Sequence, residues 1–291
     1  MTTVAIVGLG LMGGSLGRAL RRAGGYRVLA LDKDEETMLK GALLGAYDDA
    51  LTPENAGSAD IFVLALTPSQ MPGVLEKFAP LLAEGALVTD TAGVKRPVMS
   101  MMQTFSARFP GLFFCGAHPM AGREFSGVAH STASLYENAS VLLVPLRTPL
   151  EKLALLKKMY TDAGAGGAVV TDAAEHDKMI AYTSQLAHVV SSAYVQSESA
   201  EKHYGYSAGS FRDMTRVARM NAAMWTELMT DNADFLSREI RALAGRLTSY
   251  ADALDAGDRA GLFGLLEGGN SVKLSVEKDR VKKLHAAQDR D

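Results

Sequence analysis

A continuous apolar run, TVAIVGL at residues 3–9, leads straight into Gly8-x-Gly10-x-x-Gly13 and from there into the helical pattern LMGGSLGRAL. Three glycines at this spacing, between a strand and a helix, leave few ways to fold. The first permits a tight turn, the second lets a ligand approach the backbone, and the third lets helix and strand pack closely. The helix N-terminus then offers unpaired N–H groups and partial positive charge, which suits a pyrophosphate. GxGxxG alone is a weak signal, and it is the strand before and the helix after that give it weight. The next apolar run, YRVLALD, ends in Asp32, 19 residues after Gly13. A carboxylate there accepts hydrogen bonds from ribose hydroxyls and repels a 2′-phosphate, so NAD is expected rather than NADP. Lys33 follows directly and weakens that discrimination. Gly8, Gly10, Leu11, Met12, Gly13 and Asp32 are the expected cofactor contacts; another nucleotide or flavin fold, or a chance glycine turn, is the alternative.

Five more apolar runs follow: DIFVLAL 60–66, GALVTD 85–90, LFFCGA 112–117, SVLLVP 140–145 and GAVVTD 167–172. Most are continuously apolar rather than alternating, as in a parallel sheet covered on both faces. Helical patterns such as 12–23 and 70–83 lie between them, so an open, doubly wound (Rossmann) α/β sheet is expected. Thr67 and Pro68, just after FVLAL, fall where such sheets present backbone to a nicotinamide ribose. After residue 172 the β runs stop. Stretches 173–203, 211–254 and 271–288 read as helices, broken by HYGYSAGS 203–210 and EGGN 267–270. Two domains are expected, 1–171 and an all-α 172–291.

The 291 residues are 47% hydrophobic and 22% charged, enough to bury a core. A net charge of −3 gives no electrostatic case for nucleic acid or an anionic membrane. No run of 18 apolar residues appears, so no membrane-spanning helix is expected. The opening residues show neither a basic n-region nor a cleavable apolar segment, so no leader is expected. The single cysteine, Cys115, lies in an apolar run and reads as a buried inert thiol, consistent with a reducing compartment. A cytoplasmic protein without a metal site is the expectation.

The stretch FFCGAHPMAGREFSG, 113–127, delivers His118 to the end of a strand. If ligands bind outside the carboxyl ends of the strands, His118 falls on the cofactor side. A neutral imidazole there can accept a hydrogen bond from a substrate hydroxyl, although strand-end histidines are more often structural. VGLGLMGGSLGRAL, TDTAGVK, GAHPMAGREFSG, EHDKMIAYTSQLAH and FRDMTRVARMNAAMW follow in that order. With these the chain resembles the prephenate dehydrogenase family, which also holds arogenate dehydrogenases, over nearly all of its length up to about residue 235.

The resemblance implies an NAD-dependent oxidative decarboxylation of prephenate to 4-hydroxyphenylpyruvate in tyrosine biosynthesis, or the corresponding reaction of arogenate. It implies His118 as the catalytic hydrogen-bond acceptor and Arg216 as a carboxylate clamp. Asp213, one helical turn earlier, could orient that guanidinium, and Arg212 and Arg219 compete for the role. His188 matches a substrate-binding histidine, although Gln185 and Ala187 replace a histidine and a proline of the usual motif. His176, Glu124 and Trp225 match further positions around the pocket, with Glu124 at its mouth. Gly93 stands where relatives often carry a serine, which leaves Thr91, water or nothing to supply that hydroxyl. Lys95 matches a motif lysine, with a solvated helix-start charge as the plainer account. Relatives pair through their helical domains, so a homodimer is implied. Met214, Val217, Met220, Met224 and Leu228 would form one apolar stripe for core or interface. The tail 271–291 reads as a charged, solvated helix. A β-hydroxyacid dehydrogenase is the rival enzyme and would need a catalytic lysine, with only Lys178 and Lys202 on offer. A non-catalytic NAD-binding module is the other rival.

Overall fold

The computed structural model describes the backbone of residues 1–288 and the side chains of residues 1–278. Eight strands form one sheet: β1 Thr2–Val7, β2 Tyr26–Leu31, β3 Asp49–Ala50, β4 Ile61–Leu64, β5 Leu87–Asp90, β6 Phe113–Pro119, β7 Ser140–Leu146 and β8 Gly167–Val170. Their order is β3-β2-β1-β4-β5-β6-β7-β8. The runs of the central strands β1, β4 and β5 are continuous because both faces are covered. Ala5, Val7, Phe62 and Leu64 enter one core with Leu75, Phe78 and Met102, while Val4, Ile6, Ile61 and Val63 enter the other with Leu16, Leu20 and Met159. Alternate residues of each strand therefore serve opposite layers. Helices α1 Leu11–Ala23, α3 Met71–Phe78, α4 Arg96–Arg108 and α5 Leu150–Asp162 supply those layers, and Met38 of α2 Glu35–Leu43 packs against a small third cluster of Leu9, Ala30 and Ala46. Asp34 starts α2 by accepting the Glu36 and Thr37 N–H groups.

The sheet departs from a fully parallel one at β7, which runs antiparallel to β6, while β8 is parallel to β7. The connection 120–139 contains only the 3-10 turn Val128–His130 and no crossover helix, so the chain re-enters the sheet from the same end. The two-residue β3 was too short to leave a sequence pattern.

After β8 the chain is helical: α6 Ala173–Ile180, a π-helical turn Ala181–Gln185, α7 Leu186–Val195, α8 Gly209–Thr215, α9 Ala222–Thr230, α10 Ala233–Asp255 and α11 Arg259–Gln288. The expected helix 211–254 is broken twice. Residues 216–221 are irregular, and Asn221 starts a new helix by accepting the Met224 N–H. The methionine stripe is thereby split between α8 and α9. Leu228 is buried, whereas Met214 and Met224 are exposed. The expected break at EGGN does not occur, and α11 runs through Gly268 and Gly269. Each mid-helix glycine costs only about 1 kcal/mol, and the good helix formers Leu265, Leu266 and Glu267 precede the pair. By packing, Met1–Leu236 forms one compact unit and Ser237–Asp291 a second. Within the second, the Tyr250 hydroxyl donates to the Leu265 carbonyl at 3.2 Å, tying α10 to α11. The expected solvated face of the tail is exposed through Lys278; its last residues, 289–291, lie outside the described ones. No helix among the described residues is long and apolar enough to cross a membrane.

Candidate active site

The glycine turn has the shape its spacing implied. Gly8 has φ +95°, and a Cβ there would collide with the Ala65 carbonyl oxygen; one at Gly13 would collide with the Gly8 carbonyl oxygen. Nothing approaches the Cβ direction of Gly10, which forms the N-cap of α1, and the first turn of α1 carries no acidic residue. The turn thus leaves an uncovered backbone and a helix N-terminus facing the same way, which fits a dinucleotide pyrophosphate. Leu11 and Met12 open the helix. Asp32 lies beside the turn at the end of β2, where its carboxylate accepts the Leu9 N–H at 2.8 Å and the Asp34 N–H at 3.1 Å. Each oxygen keeps lone-pair capacity for a ribose hydroxyl. Thr67 caps the 3-10 turn Pro68–Gln70 after β4. The connection after β6 lies on the start of α1: the Tyr136 hydroxyl donates to the Met12 carbonyl at 2.8 Å, and the Thr132 N–H donates to Ser15 Oγ at 3.0 Å.

Asp90, at the end of β5, organises the neighbouring strand ends. Fully buried, it accepts the Ala92 N–H at 2.7 Å, the Ala117 N–H at 3.0 Å and the Lys95 ammonium at 2.7 Å. Lys95 is likewise fully buried, and its Nζ also donates to the Ala92 carbonyl at 2.7 Å. A solvated charge is therefore excluded for Lys95. Gly116 fits because Met99 Sδ lies 2.7 Å and Lys95 Cδ 3.0 Å from where its Cβ would be.

His118 follows Ala117 directly. Its Nδ1 lies 2.9 Å from His176 Nε2, and His176 Nδ1 lies 2.7 Å from Asp177 Oδ1. Asp177 also accepts the backbone N–H groups of Lys95 at 2.6 Å and Arg96 at 2.9 Å. Burial, the Lys95 ammonium and His176 together hold the His118 imidazole well below its ordinary pKa. Burial also lowers His176, opposed by its bond to Asp177. Burial pushes the Asp177 carboxyl up, but the bonds from His176, Arg96 and Lys95 outweigh it and keep the group below its usual range. The expectation that His176 meets substrate is corrected here. It is buried, and both of its ring nitrogens are engaged by protein.

Helix α9 joins the remaining parts. Its Glu227 carboxylate accepts the Ser69 N–H at 2.8 Å, beside Thr67 and Pro68. Leu228 packs opposite Gly93, 3.4 Å from where a Cβ would sit, and its carbonyl accepts the Gln185 side-chain N–H at 2.9 Å. Gln185 is buried and bonded at both ends, with Asn232 donating to its oxygen at 2.8 Å, so its role is to brace helices. Half-buried His188 and Trp225 meet at a ring separation of 3.9 Å, and the His188 Nδ1–H donates to the Ser184 carbonyl at 3.0 Å. Arg216, just past α8, donates to Glu124 at 2.5 Å, which brings two separately expected residues together. Its own backbone N–H and Arg216 hold the Glu124 carboxyl below its ordinary range. Asp213 does not orient Arg216. It is exposed and sits 4.0 Å from Arg212, because the Arg216 side chain reaches across to the loop after β6.

Asp90, Asp177, Asn232, Arg96 and Glu227 were not singled out from the sequence. The dipeptide His176-Asp177 carried a visible hint for one of them, since a carboxylate beside a histidine is a common way to orient an imidazole. The others act across sequence separations that no local pattern records.

Residues 16–169 match the family described as prephenate dehydrogenase, nucleotide-binding domain, and residues 172–268 match prephenate dehydrogenase, dimerization domain. A prephenate dehydrogenase of Lactococcus lactis is 29% identical over 287 residues, covering 95% of this chain and 78% of that protein. The crystal structure of prephenate dehydrogenase from A. aeolicus in complex with hydroxyphenyl propionate and NAD+ superposes with a TM-score of 0.82 at 27% identity, covering 95% of this chain and 98% of that one. The crystal structure of Synechocystis arogenate dehydrogenase superposes at 0.76 with 25% identity, covering 94% and 100%.

Proposed function

The chain belongs to the prephenate dehydrogenase family, and from that premise we propose that it converts prephenate to 4-hydroxyphenylpyruvate and CO2 with NAD, a step toward tyrosine. The observation that carries this reading is His118. It stands at the carboxyl end of β6 with Nδ1 engaged by His176 and Nε2 without a protein partner among the described residues. Nε2 accepts a hydrogen bond from the ring hydroxyl of the substrate. When bound, NAD supplies the acceptor for the hydride that leaves the hydroxyl-bearing carbon. The carboxylate on the opposite ring carbon departs as CO2, its bonding electrons complete the aromatic ring, and the hydroxyl keeps its proton. The protein's task is therefore to orient the ring, polarise the O–H and hold the carboxylates.

Arg216 is assigned to a substrate carboxylate, with Glu124 holding its guanidinium at the pocket mouth in the absence of substrate. His188 and Trp225 form one wall, and Gly93 leaves hydroxyl recognition to His118. Gly8, Gly10, Leu11, Met12, Gly13, Asp32, Thr67 and Pro68 are assigned to NAD. A functional boundary at 171/172 is part of the proposal, supported by the end of the sheet at Val170 and by the two family matches, which part at the same place. So is a homodimer, supported by the match to a dimerization domain. A cytoplasmic location accords with the buried free thiol of Cys115.

Arogenate is the second reading, favoured by the likeness to the Synechocystis enzyme. The β-hydroxyacid alternative lacks its lysine: Lys178 is in an exposed pair with Glu175 at 3.3 Å, and Lys202 is exposed. Reduced-cofactor absorbance with NAD and prephenate, arogenate or a β-hydroxyacid decides the matter. Turnover of prephenate with the highest kcat/KM is expected, and failure with both cyclohexadienyl substrates would overturn the assignment.

A further inference from the structure

We propose that His176 and Asp177 are positioning residues that lock His118 in its Nδ1–H tautomer, leaving the Nε2 lone pair to face the substrate hydroxyl. The inference rests on the reading that His118 accepts that hydrogen bond, and it adds why the correct nitrogen is bare.

The argument follows the protons. Asp177 is surrounded by donors: the Lys95 N–H at 2.6 Å and His176 Nδ1 at 2.7 Å on one oxygen, the Arg96 N–H at 2.9 Å and Arg96 Nε at 3.2 Å on the other. An ionised carboxylate only accepts, so the proton between Asp177 and His176 resides on His176 Nδ1. Neutral His176 then presents a bare Nε2. At 2.9 Å from His118 Nδ1, that nitrogen can only accept, so His118 must donate from Nδ1. Its Nε2 is left without a proton. In water a histidine side chain favours the opposite tautomer, with the proton on Nε2, and that form would offer a donor where the reaction needs an acceptor.

The surroundings keep the relay neutral. Lys95, the residue before α4, has its ammonium bonded to Asp90 of β5, and Asp177 and His176 come from α6. The Arg96 guanidinium bridges Asp177 and Asp234. A second proton on His118 would add charge beside the Lys95 ammonium in a buried setting. Asn232, fully buried, donates to the Asp177 backbone carbonyl at 2.8 Å and accepts from Arg96 at 2.9 Å, which fixes the carboxylate relative to the rings.

The test is a long-range 1H–15N correlation spectrum of the full-length protein labelled with 15N-histidine, without substrate, near neutral pH. His118→Asn and His176→Phe assign the two spin systems. The expected spectrum shows both residues protonated on Nδ1 and bare on Nε2. His176→Phe should move His118 to the Nε2–H form and lower kcat about 10- to 100-fold, with KM for NAD within about twofold. His176→Gln, whose amide oxygen can accept the same proton, should restore the tautomer and most of kcat. A wild-type spectrum with His118 protonated on Nε2 overturns the proposal, as does a folded His176→Phe protein that keeps both tautomer and kcat. If His176→Phe does not fold, the wild-type spectrum and the glutamine variant decide. The spectrum needs no substrate, so absence of turnover would count against the proposed function and leave the relay standing or falling on its own.

Discussion

At the scale of single residues, the proposed function turns on one imidazole nitrogen and one guanidinium. His118→Asn removes the acceptor and should lower kcat by at least ~100-fold while KM for NAD stays within about twofold; unchanged turnover would remove His118 from the reaction. The proposed role requires the neutral imidazole, and burial, Lys95 and His176 hold its pKa well below the ordinary 6.5 by disfavouring the charged ring. Lowering the pH through 6.5 should therefore leave kcat/KM on its plateau, with the fall coming only at lower pH as the ring finally takes a proton. An acid limb centred at or above 6.5 would show that the titrating group is not this one. Arg216 is exposed and paired with Glu124, so its loss should spare the fold. Arg216→Ala should raise KM for the substrate at least about tenfold with little change in melting temperature. A KM within twofold of wild type would place the clamp elsewhere.

At the scale of elements, what the sequence revealed depended on how local the physics was. All seven apolar runs became strands; those at the centre of the sheet are apolar throughout because both of their faces are buried, whereas β8 leaves Val169 and Val170 exposed. The glycine turn was legible because backbone collisions at Gly8 and Gly13 dictate residue type within a few positions. The reversal of β7 was hidden, because strand direction is set by the connection rather than by the strand. The end of α8 was hidden as well, since FRDMTRVARM has no proline or glycine to announce it. His118, His188, Arg216, Glu124 and Trp225 could be named through family motifs, but Lys95 read equally well as a surface charge. Its burial against Asp90 is a tertiary fact, and the pair ties the turn after β5 to the backbone just before His118. Lys95→Met leaves Asp90 buried and uncompensated and should cost about 3–5 kcal/mol in denaturant unfolding. A loss below about 1 kcal/mol would mean that the carboxyl simply takes up a proton. Gly93 is the converse case. Its Cβ position is 3.4 Å from Leu228 and it carries no positive φ, so Gly93→Ser should fold with a melting temperature within a few degrees of wild type.

At the scale of the whole molecule, the described side chains of the second compact unit, 237–278, leave much apolar surface uncovered. The unit's described residues hold most of α10, from Ser237 to Asp255, and all of α11. Leu247, Leu254, Phe263, Leu266, Val272, Leu274 and Val276 are all at least half exposed or close to it. Leu247 and Leu254 are seven residues apart, and Phe263 and Leu266 three, spacings that put each pair on one helical face. Exposed apolar faces of this kind mark association surfaces, and residues 172–268 match a dimerization domain. If a second copy covers these faces, charges placed there should separate the subunits without touching the glycine turn or the His118 relay. Phe263→Glu combined with Leu254→Glu should convert a dimer to a monomer in sedimentation velocity at micromolar concentration, while Kd for NAD is kept within about threefold. A double variant that sediments as the wild type does would move the subunit contact away from these faces.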